Sequence, residues 1–473
     1  MKNKTILFSF LGALGFLLFF SWSTSPLYLT YGGDSPFFQL IGLGITQGKV
    51  PYVDLFDHKG PVPFFMDALG YSLGLGRTGL FIVQVLSMTA AIALFYKLAG
   101  LFLDSPRKAV AAVALSMIPL VDFITEGNQV EEWQLPYVAL TLLLVCRYIK
   151  GGSGEHPASR SLVYGLCFGM VFFNRPNDGV MWVGSLFFGL MLMWITGKEW
   201  RRLLCNLGTF LVGFLIISIP IFIYFGAHNA MDDLWFGMIE YNIKYAGDAL
   251  FTWGGIGMII IPIVIVVAFL RQTGDFRDFR FVLIPMLVST VILVGKRDYY
   301  HYLIPLVPYI VICFSGCLLK RWKVYLWVVC LLFAVFSYRE FSFMARAASL
   351  RPTLETFYRQ SDELFDAVPE DERNNIWNYN LVTYQGDRKP HLVSMMGCFL
   401  HKGITPSCPV LASYDLYYLE DKYGIRARNP EWVVFDPEDS YIKDLDWIYE
   451  NYEFVAESPE EPVCSLKLYK RRK

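Results

Sequence analysis

The strongest constraint on this chain is a succession of apolar runs, each about long enough to cross ~30 Å of hydrocarbon as a helix. They fall near 5–24, 78–103, 109–124, 133–150, 160–174, 179–196, 203–226, 254–270, 281–295, 303–319 and 324–338, parted by short charged breaks. Backbone inside hydrocarbon has to satisfy its own hydrogen bonds, so each run predicts a helix. Composition agrees, with 55% hydrophobic and 18% charged residues and a mean hydropathy of +0.40. The expectation is a polytopic α-helical membrane protein of about 11 transmembrane helices over residues 1–338, with a small α/β domain over 339–473.

Basic residues orient such a chain, because short cytoplasmic loops collect Lys and Arg. With the N-terminus inside, the inner breaks hold Lys2 and Lys4, Arg107 and Lys108, then Arg147, Lys150 and Arg160. Lys198, Arg201 and Arg202 follow, then Arg271, Arg277 and Arg280, then Lys320, Arg321 and Lys323. An odd number of spans then places residues 339–473 outside, on a multi-pass protein of the cytoplasmic membrane. The first run has no clear small-x-small cleavage site after it, so it reads as a retained anchor rather than a signal peptide. The net charge of -1 averages an apolar half with an acidic C-terminal region. No basic stripe with interleaved aromatics occurs, which sets nucleic acid aside. Of the cysteines, Cys398, Cys408 and Cys464 fall in the C-terminal region, where a Cys398–Cys408 bridge is one reading.

The polar chemistry gathers in the breaks assigned to the outside. In the large first loop (25–76), Ser35–Gln47 has the apolar spacing of an amphipathic helix at the membrane surface. Asp34, just before Ser35 and Pro36, suits either an N-cap or a catalytic carboxylate. Asp57, His58 and Lys59 crowd together before Gly60 and Pro61, either as a solvated turn or as a used one. The second loop holds Glu126, Glu131 and Glu132. Asn128 followed by Glu131 reads as a capping box for the next span, and Trp133 as an interfacial aromatic. The outer loops hold fewer bases, Lys49, Lys59, Arg77, Arg175, Lys244, Lys296 and Arg297, of which Arg175 in FNRPNDG and Lys296 and Arg297 in GKRDYYHYLIP stand out against the inner bias. Arg297 and His301 would share a helix face, either snorkelling to headgroups or holding a phosphate. The segment 227–253 reads as amphipathic and surface-lying.

The order GGDSP, GKVPYVDLFDHKGP, EGNQVEEWQLP, FNRPNDG and RDYYHYLIPLVPY across residues 1–338 resembles the GT-C superfamily of membrane glycosyltransferases. It is most similar to the bacterial polyprenyl-phosphate-sugar-dependent enzymes related to protein mannosyltransferases. The resemblance implies Asp34 as catalytic base and Glu126, Glu131 or Glu132 as the second acid or an acceptor-binding group. Lys59, Arg175, Lys296, Arg297 and His301 would hold the donor's lipid phosphate. Asp57 and Lys59 match the family's acidic and basic pair, which would bind the donor phosphate or a divalent metal, magnesium or manganese. The first loop departs from the family in having no strict DxD, so the metal stays an open alternative.

The implied chemistry suits these residue types. A sugar hydroxyl is a weak nucleophile and gains from a carboxylate that takes its proton. A departing polyprenyl phosphate gains from Lys, Arg, His or a metal. The expected function is inverting sugar transfer from a polyprenyl-phosphate donor to an envelope glycan, lipid or protein outside the cytoplasm. A lipid-linked polysaccharide ligase or polymerase shares that donor. A lipid-linked glycan flippase would instead need ionisable groups at mid-span, where these runs carry almost none.

In the C-terminal region, EWVVFD and CSLKLYK alternate as strands. ETFYRQSDELFDAV and SYIKDLDWIYENY read as helices. Trp377, Tyr379 and Tyr384 are there either to stack on sugar rings or to fill a core.

Overall fold

The predicted runs fold as helices wherever the computed structural model describes them, at residues 2–152, 154, 156–247, 259–260, 263, 267, 276–294, 299–320, 341–342, 344–378, 395–409, 424–437 and 444–472. In chain order these are α1 (Lys2–Phe20), α2 (Ser35–Thr46), α3 (Pro61–Ser72), α4 (Arg77–Ala99), α5 (Pro106–Phe123) and α6 (Val130–Lys150). Next come α7 (Ala158–Phe172), α8 (Pro176–Thr196, with a π turn at Gly179–Gly184), α9 (Trp200–Ala227), α10 (Phe276–Val294) and α11 (Val307–Lys320). Proline opens α3, α5 and α8, where its fixed φ suits the first turn and its missing N–H costs nothing. The run at 324–338 lies outside the described residues, and the run at 254–270 largely does.

Among the described residues, α4, α8 and α9 are long and apolar enough to cross a bilayer by length and composition alone. Shorter apolar helices stand beside them, including Ala158–Phe172, Phe279–Ile292 and Tyr300–Gly316. On α9 the apolar side chains point outward: Leu204 is 68% and Ile223 65% exposed. A row of exposed Leu, Ile and Phe would be untenable in water and is at home in lipid. The protein is a polytopic helical membrane protein. Where α7 meets α9, Gly165 and Gly213 let the backbones touch, and a Cβ on Gly165 would stand 2.0 Å from the Phe210 carbonyl oxygen.

Polar contacts mark the two ends of this bundle. At one end the segments 21–60, 124–129, 173–176 and 299–302 meet. At the other, Lys150 reaches the Leu101 carbonyl (2.5 Å) and Arg202 pairs with Glu199.

Beyond the bundle, four strands form one sheet in the order β1-β2-β4-β3. They are β1 (Ile376–Asn378), β2 (Trp432–Phe435), β3 (Tyr452–Glu457) and β4 (Lys467–Arg471). β1 and β2 run parallel, and the other pairs are antiparallel. β2 and β4 are the strands expected from EWVVFD and CSLKLYK. Helices α12 (Arg351–Asp366), α13 (Met395–Lys402) and α14 (Leu445–Asn451) accompany the sheet. Trp377, buried at 3% exposure, packs with Cys408, Val433 and Phe435 in the sheet's core, so it fills space rather than meeting a sugar. Tyr379 and Tyr384 lie outside the described residues.

Three local expectations are corrected. α2 forms as read but does not lie on a surface: Ser35 to Gly44 are all buried, because α3 and α13 cover its flanks. Trp133 is buried and donates to Asn128 Oδ1 (3.0 Å) instead of facing an interface. Cys398 and Cys408 are free thiols that belong to separate hydrophobic clusters, so no bridge joins them.

Candidate active site

At the start of α2, the Asp34 side chain is not a cap. Asp34 occupies the N-cap position, but its φ and ψ are helical and its side chain makes no cap bond. A helix start leaves N–H groups without partners and attracts a negative charge. Glu126, from the loop between α5 and α6, supplies it. Its Oε2 accepts from the Gly33 N–H (2.7 Å), and its Oε1 accepts from the N–H groups of Asp34 (2.7 Å) and Ser35 (2.8 Å). The Asp34 carboxylate is thereby released, and the residue is exposed.

Close approach needs glycine here. Gly32 has φ +89°, and a Cβ on it would lie 2.8 Å from the Glu126 carboxyl carbon. The Glu126 loop is equally constrained, since Thr125, Gly127 and Asn128 all have positive φ. The end of α1 clasps this loop. Ser23 N–H donates to the Glu126 carbonyl (3.0 Å) and the Trp22 indole to the Thr125 carbonyl (2.9 Å). Burial is the main force on the Glu126 carboxyl, followed by the Asp34 charge. Together they outweigh the three N–H bonds and raise it to about 7.

The second wall is built by Lys59. Gly60 N–H donates to the Asn174 carbonyl and Val62 N–H to the Phe173 carbonyl, both at 2.9 Å, which ties the start of α3 to the turn before α8. Asp57 Oδ1 accepts from the Lys59 N–H (2.9 Å) and lies 3.9 Å from its Nζ, while Nζ is 2.8 Å from His58 Nε2. Burial opposes the Lys59 charge, but its neighbours, Asp57 first, hold the ammonium above its ordinary range.

Arg175 stands beside it, its guanidinium 2.5 Å from Glu131 and 3.8 Å from Asp178, over the face of Tyr302 (4.1 Å). Tyr302 belongs to a 3₁₀ turn, Tyr300–Leu306, that also carries His301. Asp34, Lys59 and Arg175 all act electrostatically on the His301 imidazole. Residues read from four separate segments thus share one region. Lys296 and Arg297 lie outside the described residues.

The glutamates divide their roles differently from the sequence reading. Val130 is the first residue of α6, and Asn128 is held left-handed outside it. Glu132, not Glu131, reaches back to the Asn128 N–H (3.0 Å), and it also accepts from Gln84 (2.8 Å). The capping box is therefore displaced by one residue, because Glu131 is drawn off to Arg175.

Several participants were not singled out from sequence. Asp178 follows Arg175 by three positions on one helix face, a spacing that could have flagged it. Gln84 binds Ser21 and Thr24, and a lone polar residue inside an apolar run was the available signal; Asn128, read from sequence only as a cap, also binds Ser35 and Asp67. Asn242, which donates to the His58 carbonyl (2.6 Å), gave none.

A divalent metal does not suit this donor set. The Asp57 carboxylate is turned onto the Lys59 N–H and ammonium, and among the described residues no three His, Cys, Asp or Glu side chains converge.

Comparison with known proteins agrees with this picture. Residues 58–224 match the model of the dolichyl-phosphate-mannose-protein mannosyltransferase family. Over 99% of this chain and 98% of the other, the fold matches the crystal structure of ArnT from Cupriavidus metallidurans bound to undecaprenyl phosphate. That match has a TM-score of 0.63 at 13% sequence identity. No curated protein matches by sequence. The matched family and the fold neighbour are of the kind that the loop motifs resemble.

Proposed function

For this chain, whose fold and partial family match are those of membrane glycosyltransferases, we propose inverting transfer of a sugar from a polyprenyl-phosphate donor, with Asp34 as the base. The acceptor is a hydroxyl on an envelope glycan, lipid or protein at the outer face of the membrane. The acceptor oxygen attacks the anomeric carbon, the carbon–oxygen bond to phosphate breaks, and polyprenyl phosphate leaves with the bonding electrons. Asp34 takes the acceptor proton. Lys59 offsets the charge that develops on the departing phosphate, which is where positive groups act most strongly, and His301, which burial keeps neutral, adds a hydrogen bond at most. Arg175, neutralised by Glu131 and Asp178, braces this wall; Lys296 and Arg297, outside the described residues, are the further phosphate ligands that the motif resemblance implies. A single displacement needs no second carboxylate as nucleophile, and Glu126, spent on three backbone N–H groups, is not free to be one.

One observation carries this reading. Asp34 sits where a cap is expected, yet the buried Glu126 does the capping and leaves the exposed Asp34 without a cap bond, within electrostatic reach of Lys59. The test is Asp34→Asn in purified protein given labelled polyprenyl-phosphate sugars. Loss of transfer by about 10²–10⁴-fold with donor binding intact is the expected result. Undiminished transfer by a folded variant would remove Asp34 as the base. Absence of wild-type transfer from any such donor would overturn the reaction class.

A further inference from the structure

At the end of the bundle away from Asp34, an open groove of about 570 Å³ lies between His156 and the start of α9. Its floor is neutral and fixed. His156 is buried, with Nδ1 3.0 Å from Asn206 Oδ1 and Nε2 3.4 Å from the Tyr164 hydroxyl. Tyr148 and Trp194 pack edge-on against the imidazole at 5.0 and 5.1 Å, and burial pushes it down to about 4. Asn206 is itself held by the Ser161 hydroxyl (2.6 Å).

The rim is cationic. Lys198, Arg201 and Arg202 line it with a single acid, Glu199, which is paired with Arg202. Lys198 and Arg201 have no acidic partner among the described residues. The N-terminus of the 28-residue helix α9 opens at the same place and adds its partial positive charge. Next to the groove Trp200 is exposed, and below it Leu204 and Leu211 form the start of the bare apolar face of α9. Cationic rim, exposed tryptophan and apolar face follow one another in the order of a lipid's phosphate, interface and chains.

We propose that this groove binds the phosphate of an anionic membrane lipid, held by Lys198 and Arg201, with the acyl chains along α9. The continuous apolar face argues for a lipid over a soluble phosphate compound. The site is separate from the Asp34 region and does not depend on the reaction assigned there.

The test uses the full chain in phosphatidylcholine nanodiscs doped with phosphatidylglycerol, reading lipid affinity by native mass spectrometry. Lys198→Gln with Arg201→Gln is expected to weaken phosphatidylglycerol binding by about 30-fold, at roughly a kilocalorie's worth of attraction per basic residue. Arg107→Gln with Arg147→Gln, exposed bases of the same end outside the groove, should leave it within about threefold. Equal loss in both pairs would reduce the effect to a diffuse positive surface and overturn the site. Displacement of the lipid by millimolar inorganic phosphate would reassign it to a soluble ligand and overturn the lipid.

Discussion

Glu126 holds three backbone N–H groups in place, and its ionisation has a cost that can be measured. Burial raises its carboxyl from an ordinary 4.5 to about 7. A carboxyl raised on folding contributes stability below its ordinary value and loses that contribution as pH rises to the folded value. The window is therefore 4.5 to about 7, over which thermal stability should fall by about 3 kcal/mol from this group alone. Activity should run the other way, because protonation removes an acceptor from the turn that presents Asp34. Transfer is expected to rise with pH through about 7. Glu126→Gln should flatten the stability slope in that window and lower kcat more than KM, since an amide puts an NH₂ donor against backbone N–H groups. Melting temperature against pH, for both proteins, checks the sign; an unchanged slope in the variant would assign the titration to another group.

At the scale of elements, the start of α2 and the α7–α9 contact both depend on backbone approach that only glycine allows. Gly32→Ala places a methyl on the Glu126 carboxyl at a positive φ and is expected to cost about 1–3 kcal/mol, with near-complete loss of transfer. Gly165→Val forces α7 from α9 and should reduce the yield of folded protein in membranes while leaving the sequence of the site intact. Detergent-extractable yield separates these two outcomes from activity. These elements also mark what was legible beforehand. The helices announced themselves because a 20-residue apolar run in a membrane has few other structures to adopt. α2 was legible as a helix through its apolar spacing and Pro36. Its full burial was not legible, since besides the neighbouring α3 it is covered by α13, hundreds of residues along the chain. The same holds for the displaced capping box. Asn128 and Glu131 satisfy the local pattern, but Arg175 outbids the backbone for Glu131, and only the fold brings Arg175 there.

On the scale of the whole molecule, the site is a meeting of loops that share one end of the bundle, so its parts were readable one by one and their partners were not. Asp34, Lys59, Arg175 and His301 stood out because charge beside an apolar run is expensive unless it is used or solvated. Asp67, Gln84 and Asn242 did not stand out, since a single polar residue in such a run has too many explanations.

Besides the packing of α12 and α13 against Tyr31 and α2, the C-terminal region meets this end through a strap. The residues after α13 lie along the segment between α2 and Lys59. Gln47 Nε2 donates to the Gly403 carbonyl (2.9 Å), Thr405 donates to Gln47 Oε1 (2.9 Å), Lys49 Nζ donates to the Pro406 carbonyl (2.8 Å), and Phe56 N–H donates to the Pro409 carbonyl. Burial holds the Lys49 ammonium below its ordinary range, so its bond to Pro406 is made where water competes poorly. These bonds span the stretch that joins Asp34 to Lys59, and slack in it would change the distance between those two residues without touching either. Gln47→Ala with Thr405→Val should therefore lower kcat by about 10–100-fold, as misplacement of reacting groups does, with KM for the donor less affected. Gln47 is exposed, and valine keeps the shape of the buried Thr405 while its hydrogen-bond partner is removed with it, so the melting temperature should move little. Limited proteolysis of the 47–56 segment reports the slack directly. A fall in kcat without faster cleavage there would place the effect elsewhere, and faster cleavage with normal kcat would leave the strap a purely structural tie.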